Sequence, residues 1–186
     1  MMSMAELGRH GWRSLWTDPA AARRAVPDAV AARLAQRVAA SEARHRGEIR
    51  VCVEAAMPLS WWWPRRDQPW TAICRARALD WFSRLGVWDT ANNTGVLIYL
   101  LLSERRIEVV ADRGLSSRVD GAVWHGIVER LSQRLRASDG AGGAPSALED
   151  GLTEALSEVS ALLVAHCPPD DERHDANELP DTVVRV

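Results

Sequence analysis

Two hydrophobic periods alternate along this chain, and the places where one gives way to the other outline a layered α/β domain. Seven consecutive apolar residues, Val96 to Leu102, follow the polar turn Asn92-Asn93-Thr94-Gly95 and predict a strand covered on both faces. Ser103 to Arg105 predicts a tight reversal, and Arg106 to Ala111 alternates in part, as a half-covered strand does. A reversal centred near Glu104 pairs residue 96 with roughly residue 112. That hairpin brings Asn92, Asn93 and Asp112 to one edge.

Upstream, Val30, Leu34 and Val38 repeat every four residues after Val26-Pro27, which predicts an amphipathic helix ending at Gly47. Glu48 to Glu54 alternates, with Ile49, Val51 and Val53 on one face, and predicts the first strand. A proline-bounded loop from Met57 to Pro69 holds Trp61-Trp62-Trp63 followed by Pro64-Arg65-Arg66. From about Thr71 a second helix carries Cys74, Ala78, Trp81, Phe82 and Leu85 as one stripe, and Gly86 stops it. Strand, helix, strand predicts a right-handed crossover with the first two strands parallel. Trp124, Ile127, Val128, Leu131 and Leu135 mark a third helix. Ala137 to Pro145 is a flexible connection, and Leu148, Leu152, Ala155, Val159, Leu162 and Leu163 mark a last helix ending near His166.

The expected architecture is a single α/β domain: a small mixed sheet of three to four strands with helices on both faces. Residues 1–25 form an N-terminal extension with Trp12, Leu15 and Trp16 as anchors, 26–167 the domain, and 168–186 a disordered acidic tail.

Composition narrows the function classes. Net charge is −2 with 26% charged residues, so no basic field exists to draw nucleic acid or acidic lipid. All 23 basic residues are Arg. Cys52, Cys74 and Cys167 have no paired metal spacing and suit core positions in a reducing compartment. Residues 1–25 hold no apolar signal core, and no run approaches the ~20 apolar residues of a membrane helix. The expectation is a cytoplasmic protein without a transmembrane segment.

Several blocks in order carry a family resemblance: Ser41 to Arg50, Phe82 to Thr90, Gly95 to Leu101 and Arg106 to Gly114. Together they resemble the TPM domain family over roughly Val26 to Pro168, in the branch without signal peptide or membrane helix. The resemblance implies an α/β/α sandwich. It also implies one of two activities: interaction with membrane-anchored partners, including LemA-like proteins, or a weak metal-dependent acid phosphatase. Calcium binding occurs among such relatives, so Ca²⁺ or Mg²⁺ is the implied ion. Many relatives have an acidic residue ahead of the Asn-Gly of the strand entry, where this chain has Asn92-Asn93-Thr94-Gly95. Their linker after the third helix is less glycine-rich.

Two candidate sites follow. Asp89, Asn92, Asn93, Asp112 and Asp120 gather oxygen ligands of the kind a hard cation takes. The competing reading makes these residues turn formers, with Asp112 bonding its own loop. Arg113, Gly114, Ser116 and Ser117 follow directly, but no cysteine–arginine loop or paired-Asp signature accompanies them. The second site is Trp61, Trp62 and Trp63, which cannot all face inward and suit a partner interface beside Arg65 and Arg66. Its competing reading is a loop that caps the sheet. The tryptophans lie at the carboxyl ends of the parallel strands, where ligands of α/β sheets bind, and the Asn/Asp edge lies at the other end.

Overall fold

The hairpin and the crossover unit form the sheet of this computed structural model, which describes residues 18, 20–137, 145–169 and 177–186. Strands β1 (Ile49–Glu54), β2 (Val96–Leu101), β3 (Arg106–Ala111) and β4 (Val184–Arg185) lie in the order β3-β2-β1-β4. β1 pairs parallel with β2, and β2 antiparallel with β3.

Helices cover both faces. On one side α1 (Ala21–Ala25), α2 (Asp28–Glu42), α6 (Gly121–Ala137) and α7 (Pro145–His166) close over Ile49, Val51, Val53, Ile98 and Val109. On the other, α4 (Trp70–Arg84) and the short helix α3 (Leu59–Trp62) cover Cys52, Leu97, Tyr99, Leu101 and Val110. One-residue turns of strand register put Leu97, Tyr99 and Leu101 opposite Val96, Ile98 and Leu100, so the apolar run of β2 fills both cores. This is the expected α/β/α sandwich. A further short helix, α5 (Arg113–Ser116), follows β3.

Four features differ from the sequence reading. The hairpin pairs Val96 with Ala111 and Leu101 with Arg106, one residue short of the expected register. A 3₁₀ turn over Leu102–Glu104, closed by Arg105 at φ +47°, takes up the difference. β1 is buried on both faces, because α4 covers the side bearing Arg50, Cys52 and Glu54. α2 ends at Glu42 rather than at Gly47. Gly47 instead lets the chain pass α7: a Cβ there would meet Leu163 Cδ2 at 2.3 Å.

The fourth difference concerns the tail. Val184 and Arg185 pair in parallel with Cys52 and Val53 as β4, and Val183 joins the core. Backbone bonds from Ala55 N to Val186 O (2.7 Å) and Val186 N to Val53 O (3.0 Å) extend that pairing. β1 otherwise has a free edge there, and the last apolar residues of the chain satisfy it. The expected disorder of 168–186 is therefore corrected for 177–186, while 170–176 lie outside the described residues. So do Trp12, Leu15 and Trp16, and residues 138–144 of the expected connection.

Candidate functional site

The three adjacent tryptophans divide as their spacing requires. Short helix α3 turns Trp62 inward until it is 0% exposed, and Trp63 outward until it is 48% exposed. Trp62 meets Trp70 edge to face at 5.6 Å and Trp63 at 5.8 Å, which anchors the loop in the lower core. Trp61 is half-buried, with the Arg65 guanidinium 4.1 Å over its ring. Arg66 lies 5.0 Å over Trp63 and donates to Trp63 O at 3.1 Å. The outcome is a fixed surface of alternating indole and guanidinium groups. Trp62 caps the sheet, as the competing reading has it, and Trp63 faces solvent.

Beneath this surface lies a buried ionic network that the sequence reading missed. Glu54, 3% exposed at the carboxyl end of β1, accepts from Arg77 Nε at 2.9 Å and also from Arg77 Nη2. Its Oε2 further accepts from Tyr99 Oη at 2.6 Å and Trp81 Nε1 at 3.0 Å. Arg77 also donates to Asp80 at 2.8 Å and lies 5.2 Å from the rings of Trp61 and Trp81. Desolvation disfavours the Arg77 charge, but the hydrogen bonds and field of Glu54 outweigh it and raise its pKa. Burial, then the Glu54 charge, raise the Tyr99 phenol well above its usual range. The available signal was Arg77 interrupting the stripe of α4 between Cys74 and Ala78.

The Asn/Asp edge assembles as the hairpin requires, though not as one cluster. Asp112 caps α5, with Oδ1 accepting from Arg113 N at 2.6 Å. Its Oδ2 is buried and, among the described residues, has no hydrogen-bond partner. Asn93 adopts φ +53°, its carbonyl accepts from Gly114 N at 2.9 Å, and its Oδ1 accepts from Arg113 Nε at 3.1 Å. Gly114 admits this approach, since a Cβ there would lie 2.5 Å from Asn92 O. Asn92 is exposed on the same turn. Asp89 is also exposed, and Asp120 accepts from Ala122 N at 2.8 Å at the start of α6. Among the described residues no group of three His, Cys, Asp or Glu is arranged to hold a metal ion. Of the five expected oxygen ligands, the atom whose chemistry suits a cation is Asp112 Oδ2, buried and without a hydrogen-bond partner among the described residues.

The family model of the TPM domain matches residues 23–153. The chain belongs to the TPM domain family. A solved relative in fold is the BA42 protein of the psychrophilic bacterium Bizionia argentinensis, an NMR structure matched with TM-score 0.65 at 19% identity. The match covers 86% of this chain and 94% of that one, and at this identity it speaks for the fold. No curated protein matches. Among the described residues no helix is long and apolar enough to cross a membrane.

Elsewhere, this TPM domain carries a cleft of about 460 Å³ along the β3 edge between α4 and α6, bordered by Arg75, Arg106, Glu108, Trp124 and His125. Arg75 covers that edge by donating to Val109 O at 2.6 Å, which blunts it against strand addition. At the amino end of β1, Glu42 accepts from Ile49 N at 2.7 Å and Glu48 from Glu178 N and Leu179 N at 3.2 and 3.3 Å. Burial, with the fields of Glu48 and Asp181, pushes Glu42 up to about 8. Cys52, Cys74 and Cys167 are all free thiols in the core, and burial raises Cys52 and Cys74 to about 12.

Proposed function

We propose that this TPM domain is a docking module and that its partner-binding surface is the indole–guanidinium platform of Trp61, Trp63, Arg65 and Arg66. The partner is a membrane-anchored protein, of the LemA-like class, presenting an apolar segment with acidic neighbours. The observation that supports this is the contrast between Trp63, 48% exposed, and Trp62 beneath it, wholly buried. An exposed indole costs solvation unless a partner covers it, and Trp and Arg contribute most to binding where a pocket desolvates them. The platform is also held in place before binding, by Arg66 on Trp63 and by Arg77 below Trp61. Preorganisation lowers the entropy lost on association.

The test is calorimetric titration of the full chain with a purified LemA-like domain. Trp63→Ala is expected to weaken binding at least about tenfold without lowering the thermal midpoint. Undiminished binding by Trp63→Ala would end this reading. Trp62→Ala is unsuitable, because it empties the core.

One atom favours a second reading. Asp112 Oδ2, buried and unpaired, is the kind of oxygen a Ca²⁺ or Mg²⁺ ion takes up, with Asn92 and water completing its shell. Such an ion supplies Lewis-acid polarisation of a phosphoryl oxygen, and the Arg113 guanidinium on Asn93 stands ready for phosphate charge. This would make the edge a weak acid phosphatase. Titration with CaCl₂ and MgCl₂ is expected to give a heat that Asp112→Asn abolishes. Heat unaffected by that change, or none in the wild type, would remove the reading.

A further inference from the structure

A separate polar groove of about 330 Å³ runs between α2 and α7, on the sandwich face away from the tryptophan platform. It is lined by Arg37, Ser41, Arg44, Thr153, Ser157 and Ser160, and by no carboxylate. At its floor, Ser41 and Ser160 are each 3% exposed and 2.7 Å apart. His45 Nε2 lies 2.8 Å from Ser41 Oγ, and Gly47 N donates to His45 Nδ1 at 3.2 Å.

These bonds have only one consistent direction. The Gly47 N–H is a fixed donor, so Nδ1 must be the unprotonated nitrogen and the ring proton sits on Nε2. Burial keeps the ring neutral by lowering its pKa to about 4. Nε2–H then donates to Ser41 Oγ, and the Ser41 hydroxyl donates onward to Ser160 Oγ. Ser160 Oγ also accepts from Arg44 Nη2 at 2.8 Å, so both of its lone pairs are filled. Its own O–H is left as a donor with no acceptor among the described residues, at the floor of the groove. This direction also excludes His45 as a base for Ser41, because the nitrogen facing the hydroxyl already bears the proton.

Around that donor stand two guanidiniums. Arg44 spends one of its five N–H donors on Ser160. Arg37 makes no hydrogen bond or ion pair among the described residues. The nearby carboxylate, Glu149, is taken by Arg33 in two bonds of 2.7 and 2.6 Å. A buried hydroxyl donor beneath two guanidiniums that keep N–H donors to spare is the donor set that a tetrahedral oxyanion accepts.

We propose that the α2–α7 groove binds a phosphate group, held by Arg37 and Arg44 from above and by the Ser160 hydroxyl from below. The groove has room for a small organic portion beyond the phosphate. The shared chemistry fits inorganic phosphate, a soluble phosphomonoester and a phosphomonoester lipid headgroup.

The full chain labelled with ¹⁵N would be titrated, at constant ionic strength against chloride, with inorganic phosphate, with glycerol phosphate and with vesicles containing phosphatidic acid. Saturable shifts are expected at residues 37–47 and 153–160, with the strongest of the three ligands naming the source. Arg37→Gln and Arg44→Gln should each weaken binding at least about tenfold, and Ser160→Ala several-fold. Arg37 is exposed and makes no hydrogen bond or ion pair among the described residues, so Arg37→Gln keeps the test valid even if the buried Ser160→Ala unfolds. No saturable binding of any of the three ligands, or undiminished affinity in Arg37→Gln/Arg44→Gln, would overturn the proposal.

Discussion

The two ends of β1 bury charge by opposite means. At the carboxyl end, Glu54 finds a cation and two neutral donors, all within a 3.0 Å hydrogen-bond shell at Oε2 and Arg77. At the amino end, Glu42, Glu48 and Asp181 crowd together, and Arg50, 5% exposed on the same strand, leaves Nε and Nη1 without a hydrogen bond among the described residues. The first end solves burial by pairing, the second by keeping a carboxyl protonated. Pairing makes a stiff support, and it is the paired end that carries the tryptophan platform. The unpaired end is joined to the last strand of the chain through Glu48 and residues 178–179, an element held by few bonds.

Removing one partner at the paired end should have the largest effect. Arg77→Met leaves Glu54 buried without its cation and is expected to cost about 3–5 kcal/mol in urea unfolding. It should also loosen Trp61, which would be visible as broadening of its indole signal. A small loss would mean that the network is not rigid support.

Next comes pH. Glu42 has its folded pKa raised from 4.5 to about 8, so the folded state holds the extra proton in that window. Its contribution to stability is fully present below pH 4.5 and is lost as pH rises through 8. His45 acts the other way: lowered from 6.5 to about 4, it stabilises above 6.5 and that contribution is lost on acidification through 4. The two oppose each other below 6.5, so Glu42 is isolated above it. Glu42→Gln should abolish a decline in stability between pH 6.5 and 8.5 on the order of 1 kcal/mol, allowing for partial solvent screening. A wild type with flat stability over that range would contradict the assignment.

Arg50→Met sharpens the same comparison. Because the guanidinium is buried with two nitrogens unbonded, its apolar replacement should be neutral or stabilising by about 1 kcal/mol, opposite in sign to Arg77→Met. Equal losses from the two substitutions would erase the distinction between the ends. The smallest effect belongs to Trp63→Ala, expected within about 0.5 kcal/mol in stability because the ring is half exposed.

How much of this was legible follows from where each signal lay. β2 announced itself because seven contiguous apolar residues have few other uses, and the stripe of α4 because its period is helical. β4 did not: Val183 to Val186 is short, follows an acidic stretch, and becomes a strand only because β1 offers an edge. The hairpin register slipped by one because a 3₁₀ turn and a left-handed Arg105 cannot be told from a simple reversal in sequence. Of the sites, the division of the tryptophans followed from adjacency, and the hairpin was expected to bring Asn92, Asn93 and Asp112 to one edge, where Asp112 N donates to Gly95 O and Gly114 N to Asn93 O. Asp120 accepts from Ala122 N at the start of α6, and an Asp before a helix reads alike as cap and as ligand. The Glu54 network joins residues 23 and 45 positions apart, and only the folded crossover brings them together.

The most direct test of the docking account is the set of tryptophan indole N–H resonances of the ¹⁵N-labelled chain, titrated with the purified LemA-like domain. The account predicts saturable movement of Trp63, with Trp61 beside it, while Trp62 in the core stays fixed. A titration that leaves Trp63 in place and moves the amides of Asn92 to Gly114 instead would contradict it, and would put the binding surface at the opposite end of the sheet.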